Sequence, residues 1–362
     1  MALDSYVTLG RSGLRVSPLC LGAMTFGEDW GWGSDDETSR RIIDTYLDRG
    51  GNFIDTANMY TKGHSEVVLG DHIGREPSRR DRVVIATKFM TAMHLGDPNS
   101  GGAGRKAIIG ACEESLRRLQ TNYIDLYWMH FWDHHTPMEE TLRTLDDLVR
   151  AGKVRYIGFS DTPAWMCAHA QTMATLRGFE PLIALQIEYS LIERSVEDEL
   201  IPMARHLGMG VTPWSPLKGG ILSGKFTRQS APKKGEARYD ENSQHLNERS
   251  FSIIDTLQQT AQQTGASVAQ VAIAWVHGRE GVDSTIIGAR TMAQLEDNIG
   301  ALGVELDGSQ RERLDDVSAR DPIFPQRFLP FVQKIFTGGC SLNGAPSEDA
   351  WDMAPQSDDE RY

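Results

Sequence analysis

The chain has 362 residues, of which 40% are apolar and 24% are charged, and its formal net charge is −13 at pH 7. This composition is typical of a globular protein with one large core or two smaller ones, and the acidic balance argues against nucleic acid or an anionic membrane as a partner. No apolar stretch reaches the roughly 20 residues that cross a bilayer, and the first residues lack the pattern of a signal peptide.

The cysteine and histidine spacings do not indicate a metal site. The four cysteines are widely separated, with no Cys-x-x-Cys pair, which favours free thiols in a reducing compartment. His134 and His135 are adjacent, and side chains of neighbouring residues on an extended segment are expected to point apart. We therefore predict a cytoplasmic protein without a metal ion.

Short apolar runs typical of strands alternate with segments of helical spacing along most of the chain. The runs begin near Leu19, Asn52, Val83, Ile124, Val154, Leu182, Gly210 and Ser284. Eight strand–helix units in about 300 residues match a (β/α)8 barrel in number and size. The alternative, a doubly wound open sheet, usually has a Gly-x-Gly-x-x-Gly turn after an early strand, and this sequence has none. Ahead of the first strand, the segment from Val7 to Val16 predicts a hairpin that closes the barrel floor.

Two of the helices are predicted from an apolar face. The first face consists of Ile108, Cys112, Leu116 and Leu119. The second consists of Met138, Leu142, Leu145 and Leu148. For this second helix, Thr136 and Glu139 predict a capping box, Pro137 a first helical turn, and Gly152 the end.

Two regions interrupt the alternation of strands and helices. Residues 215–248 form a long polar segment with several glycines, and long loops in compact folds are usually functional or disordered. After the barrel, predicted to span residues 1–321, an extension covers residues 322–362. It is aromatic over residues 324–331 and becomes acidic from about residue 345, where we predict disorder.

Four chemically distinct side chains stand at the ends of three successive predicted strands. Asp55 ends the second strand and Tyr60 follows it by five residues, while Lys88 and His130 close the third and fourth strands. In a parallel barrel the carboxyl ends of the strands meet at one face, where such barrels carry their active sites. We therefore predict that these four side chains converge on one pocket.

The chain resembles the aldo-keto reductase family from about residue 6 to residue 335, and within it the branch of aryl-alcohol dehydrogenases and potassium-channel β-subunits. Seven motifs carry the resemblance in sequence order: residues 22–27, 55–60, 87–89, 125–130, 186–191, 214–217 and 288–298. By position, Asp55, Tyr60, Lys88 and His130 match the catalytic tetrad of the family. The resemblance implies reduction of aldehydes or ketones by a nicotinamide cofactor.

The chemistry of carbonyl reduction explains why these four residue types occur together. Hydride addition produces an alkoxide, so a proton donor must stand within hydrogen-bond reach of the oxygen. Tyr60 is the expected donor, and the ammonium group of Lys88 would favour its phenolate and lower its pKa. Asp55 would hold Lys88 charged, and His130 would orient the carbonyl oxygen.

The resemblance also implies a cofactor site across the barrel mouth. Trp214 matches the residue that stacks on the nicotinamide, while Ser160, Asp161 and Gln186 match those that hold its carboxamide. The complete set is Met24, Thr25, Ser160, Asp161, Gln186, Trp214, Ser215, Pro216, Leu217, Gly219, Lys225, Arg238, Gly288, Arg290, Gln294, Asp297 and Asn298. Arg290 offers the forked donor that suits a 2′-phosphate, which favours NADPH over NADH.

Asp161 departs from the family pattern, in which asparagine usually follows the serine. A carboxylate only accepts hydrogen bonds, whereas asparagine both donates and accepts. We expect the carboxamide oxygen to depend on Gln186 or Ser160 for a donor. We also expect the negative charge to favour the oxidised, positively charged cofactor.

A second glycine-rich segment resembles a phosphate-binding loop of another kind. Gly219 to Phe226 fits Gly-x-x-x-x-Gly-Lys, but a P-loop requires serine or threonine where Phe226 stands. We therefore expect this segment to bind the cofactor pyrophosphate through backbone amides and Lys225, and not to bind ATP.

The substrate pocket is less strongly predicted than the tetrad. Its expected lining is Trp30, Phe89 and Trp132, with Met24, His94 and residues 324–331 as further candidates. An alternative function is that of a regulatory subunit that binds the cofactor and reports its redox state, because such relatives can retain the tetrad. The sequence leaves the natural substrate and the oligomeric state open.

Overall fold

The computed structural model describes residues 1–233, 239, 243–344 and 351–361. The chain forms two compact units, residues 1–318 and residues 319–362. The first unit contains the predicted barrel. Part of the acidic end that we expected to be disordered, residues 345–350 and 362, lies outside the described residues.

Eight parallel strands form the predicted (β/α)8 barrel. They are β3 (Leu19–Gly22), β4 (Phe53–Asp55), β5 (Val84–Phe89), β6 (Ile124–Met129), β7 (Val154–Ser160), β8 (Leu182–Glu188), β9 (Gly210–Trp214) and β10 (Thr285–Gly288). The pairing order is β10-β3-β4-β5-β6-β7-β8-β9. A bridge between Val211 and Val282 and a hydrogen bond from Asp283 N to Val211 O (3.0 Å) join the two ends of this order. Each strand begins within one residue of its predicted start.

Helices follow the strands around the barrel. In the first unit they are α1 (Asp36–Asp48), α2 (His64–Leu69), α3 (Pro77–Arg80), α4 (Arg105–Leu119), α5 (Met138–Arg150), α6 (Ala164–Arg177), α7 (Leu200–Leu207), α8 (Glu248–Thr264), α9 (Val268–His277), α10 (Met292–Gly300) and α11 (Gly308–Val317). The two apolar faces predicted from the sequence are the buried faces of α4 and α5. This alternation sets the carboxyl ends of all eight strands at one face of the barrel.

The predicted hairpin, β1 (Val7–Thr8) and β2 (Arg15–Val16), is present, and Val7 pairs with Val16. Its turn rests against the other end of the barrel. The backbone N–H of Gly10 donates to Asp283 Oδ2 (2.9 Å), and φ of Gly10 is +56°. A Cβ atom at this position would lie 2.5 Å from the backbone nitrogen of Gly210, so only glycine allows this close approach.

The barrel interior is filled with side chains and contains no channel in the part that the structure describes. Trp128 is its largest member, and it packs in one cluster with Phe53, Leu126 and Ala184. Gly158 on the neighbouring strand makes room for the indole ring, because a Cβ atom there would lie 2.4 Å from it. A second, larger cluster fills the layer between the strands and the helices.

The start of α5 differs from the prediction. The helix begins at Met138, but Thr136 forms no capping box, since its hydroxyl donates to Asp133 Oδ2 (2.6 Å). The same carboxylate oxygen accepts a hydrogen bond from the backbone N–H of Ala103 (3.0 Å). Asp133 therefore connects the loops that precede α4 and α5, and it takes the hydroxyl that would otherwise cap the helix.

Among its described residues, the second unit contains one α-helix, α12 (Leu329–Thr337), and a short 3-10 helix, Asp358–Glu360. Three phenylalanines form a row, with 6.4 Å between the ring centroids of Phe324 and Phe328 and 5.7 Å between those of Phe328 and Phe331. Among the described residues, no helix has the length and apolar character needed to span a membrane.

Candidate active site

The four predicted catalytic residues lie together at the carboxyl face of the barrel. Asp55 is the last residue of β4, Lys88 lies one residue before the end of β5, and His130 directly follows β6. Tyr60 begins the turn that connects β4 to α2. Parallel pairing of β4, β5 and β6 brings these positions side by side.

Lys88 is the centre of the group, with a fully buried side chain. Its ammonium group donates to Asp55 Oδ2, to the carbonyl oxygen of Thr56 (2.8 Å) and to the hydroxyl oxygen of Tyr60 (3.1 Å). An ammonium group has three donors, so each proton of Lys88 has an acceptor. The lysine is thus fixed in position between a carboxylate and a phenol.

The backbone that presents Tyr60 adopts an unusual conformation. Thr61 and Lys62 both have left-handed φ values, +47° and +59°. The hydroxyl of Thr61 donates to the carbonyl oxygen of Phe26 (2.7 Å) and accepts from the backbone N–H of Ser65 (3.0 Å), which fixes the turn. Strain of this kind persists where the surroundings enforce it and is frequent at functional sites.

The protonation states follow from burial and from the neighbouring charges. Burial raises the pKa of Tyr60 above its ordinary value, and the charge of Lys88 only partly offsets this effect. Lys88 therefore lowers the pKa of Tyr60 as expected, but the pKa is raised overall because burial has the larger effect. Burial lowers the pKa of Lys88, but Asp55 and Tyr60 outweigh it and raise that pKa overall. Tyr60 is thus a protonated phenol beside an ammonium group at neutral pH.

His130 is the fourth residue of the group, and its imidazole ring is neutral at pH 7. Burial, with a contribution from the charge of Lys88, lowers its pKa to about 3. Its ring lies edge-on to that of Tyr60, with 5.9 Å between the centroids and 80° between the planes. Nδ1 of His130 is buried and has no hydrogen-bond partner among the described residues. A neutral imidazole keeps one N–H donor, which can orient an oxygen near Tyr60.

The predicted carboxamide site adjoins the catalytic group. Gln186 donates from Nε2 to Asp55 Oδ1 (3.0 Å), so it supports the carboxylate that holds the lysine. Asp161 accepts a hydrogen bond from the indole nitrogen of Trp214 (3.1 Å). The hydroxyl oxygen of Ser160 is buried and has no well-formed hydrogen bond among the described residues, although it lies close enough to Asp161 to lower the pKa of that carboxyl. A hydroxyl both donates and accepts, so it can also bind a carboxamide.

The loop after β9 has the backbone shape of an anion-binding segment. Ser215, Lys218 and the glycines at 219, 220 and 224 all have positive φ, and successive residues of this kind can turn backbone N–H groups towards one ligand. One of these groups is already engaged, because the N–H of Gly219 donates to Ser215 Oγ (3.0 Å). The shape is compatible with the expected pyrophosphate, and Pro216, Leu217 and Lys225 belong to the same segment.

Two charged residues of this face were missed in the sequence. Lys218 donates to Glu188 Oε1 (2.5 Å), and its side chain is only 8% exposed. Glu188 could have been found, because residues two apart on a strand share a face and Gln186 was already assigned. Lys218 lies between Leu217 and Gly219, inside the predicted pyrophosphate-binding segment, but no local pattern indicates its pairing with a carboxylate.

The residues expected at the adenosine end lie between the last residue of β10 and the end of α10, but several have structural partners. The backbone N–H of Arg290 donates to Gln294 Oε1 (2.8 Å), and Asn298 donates to the carbonyl oxygen of Gly288 (2.9 Å). Asp297 accepts from the hydroxyl of Ser267 (3.0 Å). Within the described residues, no carboxylate pairs with the guanidinium group of Arg290, so it is available to a ligand.

The remaining cofactor positions are placed as follows. Met24 and Thr25 come directly after β3, and the hydroxyl of Thr25 donates to the carbonyl oxygen of Ala289 (2.8 Å), which links the first and last barrel strands. Arg238 lies outside the described residues.

Aromatic side chains surround the catalytic group. Trp30 lies edge-on to Tyr60 at 6.4 Å and contacts Trp32 at 5.7 Å. Phe131 lies 5.2 Å from His130 and is 41% exposed. Trp132 makes an edge contact with a further exposed tryptophan, Trp165, at 5.5 Å. Phe131 and Trp132 also line a cavity of about 600 Å³ between the loops after β5 and β6.

Phe89 does not belong to this group of aromatic side chains. Its side chain is fully buried in the layer between strands and helices, and its ring lies 5.0 Å from that of Tyr127. Successive strand residues point to opposite faces, so the inward position of Lys88 turns Phe89 outwards. His94 pairs with Glu114 (2.8 Å) and is largely exposed, which places it at the surface.

The adjacent histidines also differ from the expectation. The rings of His134 and His135 lie only 3.8 Å apart and do not point in opposite directions, because Asp133 turns the segment by accepting from the backbone N–H of His135 (2.9 Å). Among the described residues, no group of three or more histidine, cysteine, aspartate or glutamate side chains is arranged to hold a metal ion.

Comparison with known proteins gives a consistent result. The family model described as the Aldo/keto reductase family matches residues 18–319. The uncharacterized oxidoreductase YrpG of Bacillus subtilis is 40% identical over 321 residues, which cover 86% of this chain and 95% of that relative. The norsolorinic acid reductase of Aspergillus flavus is 36% identical over 327 residues, 88% of this chain and 82% of that relative. The aryl-alcohol dehydrogenase [NADP(+)] of Phanerodontia chrysosporium is 34% identical over 331 residues, 86% and 85% of the two chains.

Proposed function

Because this chain belongs to the aldo/keto reductase family, we propose that it reduces aldehydes and ketones to alcohols with NADPH and that Tyr60 supplies the proton. At the level of the family, the chain is a nicotinamide-dependent oxidoreductase that acts on small carbonyl compounds. The proposal adds the preferred cofactor, the proton donor and the class of substrate.

One observation carries the assignment of the proton donor. Lys88 joins the carboxylate of Asp55 to the hydroxyl of Tyr60, and the neutral ring of His130 faces that tyrosine. Tyr60 is therefore protonated before the reaction and stands beside a positive charge that stabilises its phenolate afterwards. A donor needs both properties when it transfers its proton.

The residues act in a defined order. When bound, the reduced nicotinamide supplies the hydride that adds to the carbonyl carbon. The neutral imidazole of His130 donates a hydrogen bond to the carbonyl oxygen and keeps it next to the phenol. As the C–O double bond becomes a single bond, the Tyr60 hydroxyl proton passes to that oxygen. Lys88 stabilises the phenolate until a proton from water restores the phenol.

The hydroxyl of Ser160, which is buried without a well-formed hydrogen bond among the described residues, supports a nicotinamide cofactor because it can bind the carboxamide. Arg290, just before α10, supports NADPH over NADH, since no carboxylate among the described residues pairs with its guanidinium group. A forked guanidinium group is well suited to a 2′-phosphate. The printed name of the Phanerodontia chrysosporium relative also specifies NADP(+).

The aromatic side chains beside the predicted catalytic residues favour aryl carbonyl compounds as substrates. Trp30 and Phe131 contact the two residues that would bind the carbonyl oxygen, Tyr60 and His130. Aromatic side chains contribute about 0.5–1.5 kcal/mol to an aromatic pair beyond the area that they bury. Two of the relatives are named for norsolorinic acid reduction and aryl-alcohol dehydrogenation, and these names are compatible with a pocket lined by aromatic side chains.

The decisive experiment measures the initial rate of NADPH oxidation with an activated aromatic aldehyde, such as 4-nitrobenzaldehyde, and with an aliphatic aldehyde. We expect faster turnover of the aryl substrate and a decrease in kcat of about 10²- to 10⁴-fold in Tyr60→Phe, which keeps the ring and removes only the proton. Absence of turnover across a broad panel of carbonyl compounds, with tight NADPH binding retained, would overturn the enzymatic proposal and favour a regulatory subunit.

The cofactor preference is tested in the same assay. Arg290→Ala should lower kcat/KM for NADPH and leave that for NADH nearly unchanged. Arg313→Ala, which removes an exposed arginine from α11, is the matched control. An unchanged ratio of NADPH to NADH efficiency in Arg290→Ala would exclude this residue as the 2′-phosphate ligand.

A further inference from the structure

Asp161 is one of the three residues of the predicted carboxamide site, and its position is fixed. It follows the last residue of β7, its φ is +41°, and its backbone N–H donates to the carbonyl oxygen of Gln186 (3.2 Å). Its side chain accepts the hydrogen bond from the Trp214 indole (3.1 Å). A non-glycine residue in the left-handed region is uncommon, although aspartate tolerates it better than most. The backbone and the indole together hold this carboxylate at the barrel mouth.

The charge of Asp161 is not neutralised by a partner. Among the described residues, no lysine, arginine or histidine forms an ion pair with it. The cation whose charge acts on it, Lys88, is held by Asp55 and Tyr60, and Lys218 on the loop after β9 pairs with Glu188. The Trp214 indole provides a hydrogen bond but no charge. The Asp161 side chain is exposed at the carboxyl end of β7, where a bound cofactor can meet its charge.

Groups at the ends of β5, β8 and β9 act on this carboxylate, and the hydroxyl of Ser160 beside it on β7 lowers its pKa. From β8, the charge of Glu188 raises the pKa of Asp161, while the Trp214 hydrogen bond from β9 and the charge of Lys88 from β5 lower it. Desolvation by the surrounding protein has the largest effect, and it raises the pKa of Asp161 to about 6. On the β4 side, the charge of Asp161 in turn raises the pKa of Tyr60. The carboxylate therefore loses its charge within a range of pH in which the protein can be studied.

A nicotinamide ring carries one positive charge when oxidised and none when reduced. A fixed negative charge at the site that holds the ring stabilises the first form and has little effect on the second, since the two forms otherwise have the same shape and polar groups. A neutral carboxyl or an amide at the same position provides no such distinction.

We propose that Asp161 sets the redox-state preference of the cofactor site: its carboxylate, held by Trp214, favours the oxidised over the reduced nicotinamide, and uptake of a proton removes this preference. This inference rests on the proposed function, because it requires a nicotinamide cofactor at these strand ends. Asp161 acts on the binding of the cofactor, whereas Tyr60 delivers the proton to the substrate.

The test is a measurement of binding and requires no substrate. The Kd of NADP⁺ and of NADPH is measured by isothermal titration calorimetry between pH 5.5 and pH 8 for the wild-type protein and for Asp161→Asn. Both cofactors carry the same 2′-phosphate, so its titration cancels in the ratio of the two Kd values. Asp316→Asn, which removes an equal charge from an exposed position on α11, is the matched control.

For the wild-type protein and for Asp316→Asn, we expect the ratio of the Kd of NADP⁺ to that of NADPH to be constant at pH 8 and to rise as the pH falls through about 6, where the carboxylate begins to take up a proton. For Asp161→Asn, we expect a ratio that is independent of pH and about tenfold higher than the wild-type ratio at pH 8, which corresponds to about 1.4 kcal/mol. Tight binding of both cofactors with the same ratio in wild type and Asp161→Asn would overturn the inference. Failure of the wild-type protein to bind either cofactor would instead overturn the proposed function.

A second variant tests the hydrogen bond separately. Trp214→Phe keeps an aromatic ring and removes the N–H that stabilises the carboxylate, so the midpoint of the pH-dependent ratio should shift to higher pH. A midpoint unchanged from that of the wild-type protein would show that Trp214 does not hold the charged form of Asp161. Thermal denaturation of each variant confirms that the protein measured is folded.

Discussion

Lys88 has a fixed position because each of its three protons has an acceptor, and two of these acceptors are themselves catalytic candidates. A buried ammonium group is tolerated only with such partners, since its desolvation is expensive. The pair of Lys88 and Asp55 therefore stabilises the fold at this site and also places a positive charge beside Tyr60.

Asp55→Asn tests this dependence directly. The substitution keeps the shape of the side chain and leaves the charge of Lys88 buried without a counter-ion, so the free energy of unfolding at pH 7 should fall by about 3 kcal/mol. The double variant Asp55→Asn with Lys88→Met removes both charges and should recover part of this loss. Urea denaturation monitored by circular dichroism measures both. An unfolding midpoint unchanged in the single variant would contradict the prediction.

The pH dependence of the reaction should come from Tyr60 and not from His130. Reduction requires the protonated phenol, so the rate is retained below the pKa of Tyr60 and falls as the pH rises through it. Since burial raises this pKa, the decrease should occur above the ordinary range of tyrosine. His130, with a pKa of about 3, stays neutral throughout the measurable range.

His130→Gln separates these two contributions. The variant should have a lower kcat at saturating cofactor and substrate, while its pH–rate profile between pH 6 and pH 9 keeps the shape of the wild-type profile. A change in the acidic part of the profile would show that His130 titrates during turnover, contrary to this expectation.

At the scale of residues, strand ends were predictable and side-chain directions only partly so. Asp55, Lys88 and His130 could be placed together because each stands at the end of a recognisable apolar run, and Tyr60 follows Asp55 by five residues. Phe89 was assigned to the pocket, but side chains alternate along a strand, so Phe89 and Lys88 point to opposite faces. The outward direction of Phe89 could therefore have been predicted from the sequence.

At the scale of elements, small residues decide how closely strands can pack. Gly158→Ala should destabilise the protein by about 1–3 kcal/mol, because the added Cβ atom would lie 2.4 Å from the Trp128 ring and 2.9 Å from the carbonyl oxygen of Ala184. Gly110→Ala is the matched control. It lies within α4 with nothing inside 4 Å of the new Cβ atom, and should stabilise the protein by about 0.5–1 kcal/mol. Differential scanning calorimetry distinguishes the two, and equal melting temperatures would contradict the prediction.

The helix starts show why local patterns were insufficient. Thr136 and Glu139 have the spacing of a capping box, but Asp133 competes for the threonine hydroxyl. The same aspartate also accepts from the backbone N–H of Ala103, thirty positions away along the chain. Such a long-range competition is not visible in a window of a few residues, and so the position of α5 was predictable whereas its cap was not.

At the scale of the whole molecule, residues 1–318 contain the complete barrel, its hairpin floor and its core. A chain that ends at Ser318 should therefore fold and unfold cooperatively, with a melting temperature within about 5 °C of the full-length value, since roughly 1 kcal/mol shifts the melting temperature of a chain this long by only a few degrees. Calorimetry of both chains measures this. Loss of a cooperative transition in the shorter chain would show that residues 319–362 are required for folding.

The predicted catalytic and cofactor residues are distributed unevenly along the chain. The four tetrad positions lie at or just after the carboxyl ends of β4, β5 and β6 and precede α5. The predicted cofactor positions, apart from Met24 and Thr25 after β3, begin with Ser160 at the end of β7. A boundary between the two sets falls in the short turn around Gly152. We expect a hybrid gene that joins residues 1–152 of this chain to the corresponding later half of a relative with a different cofactor preference to change that preference and to keep the predicted acid–base group.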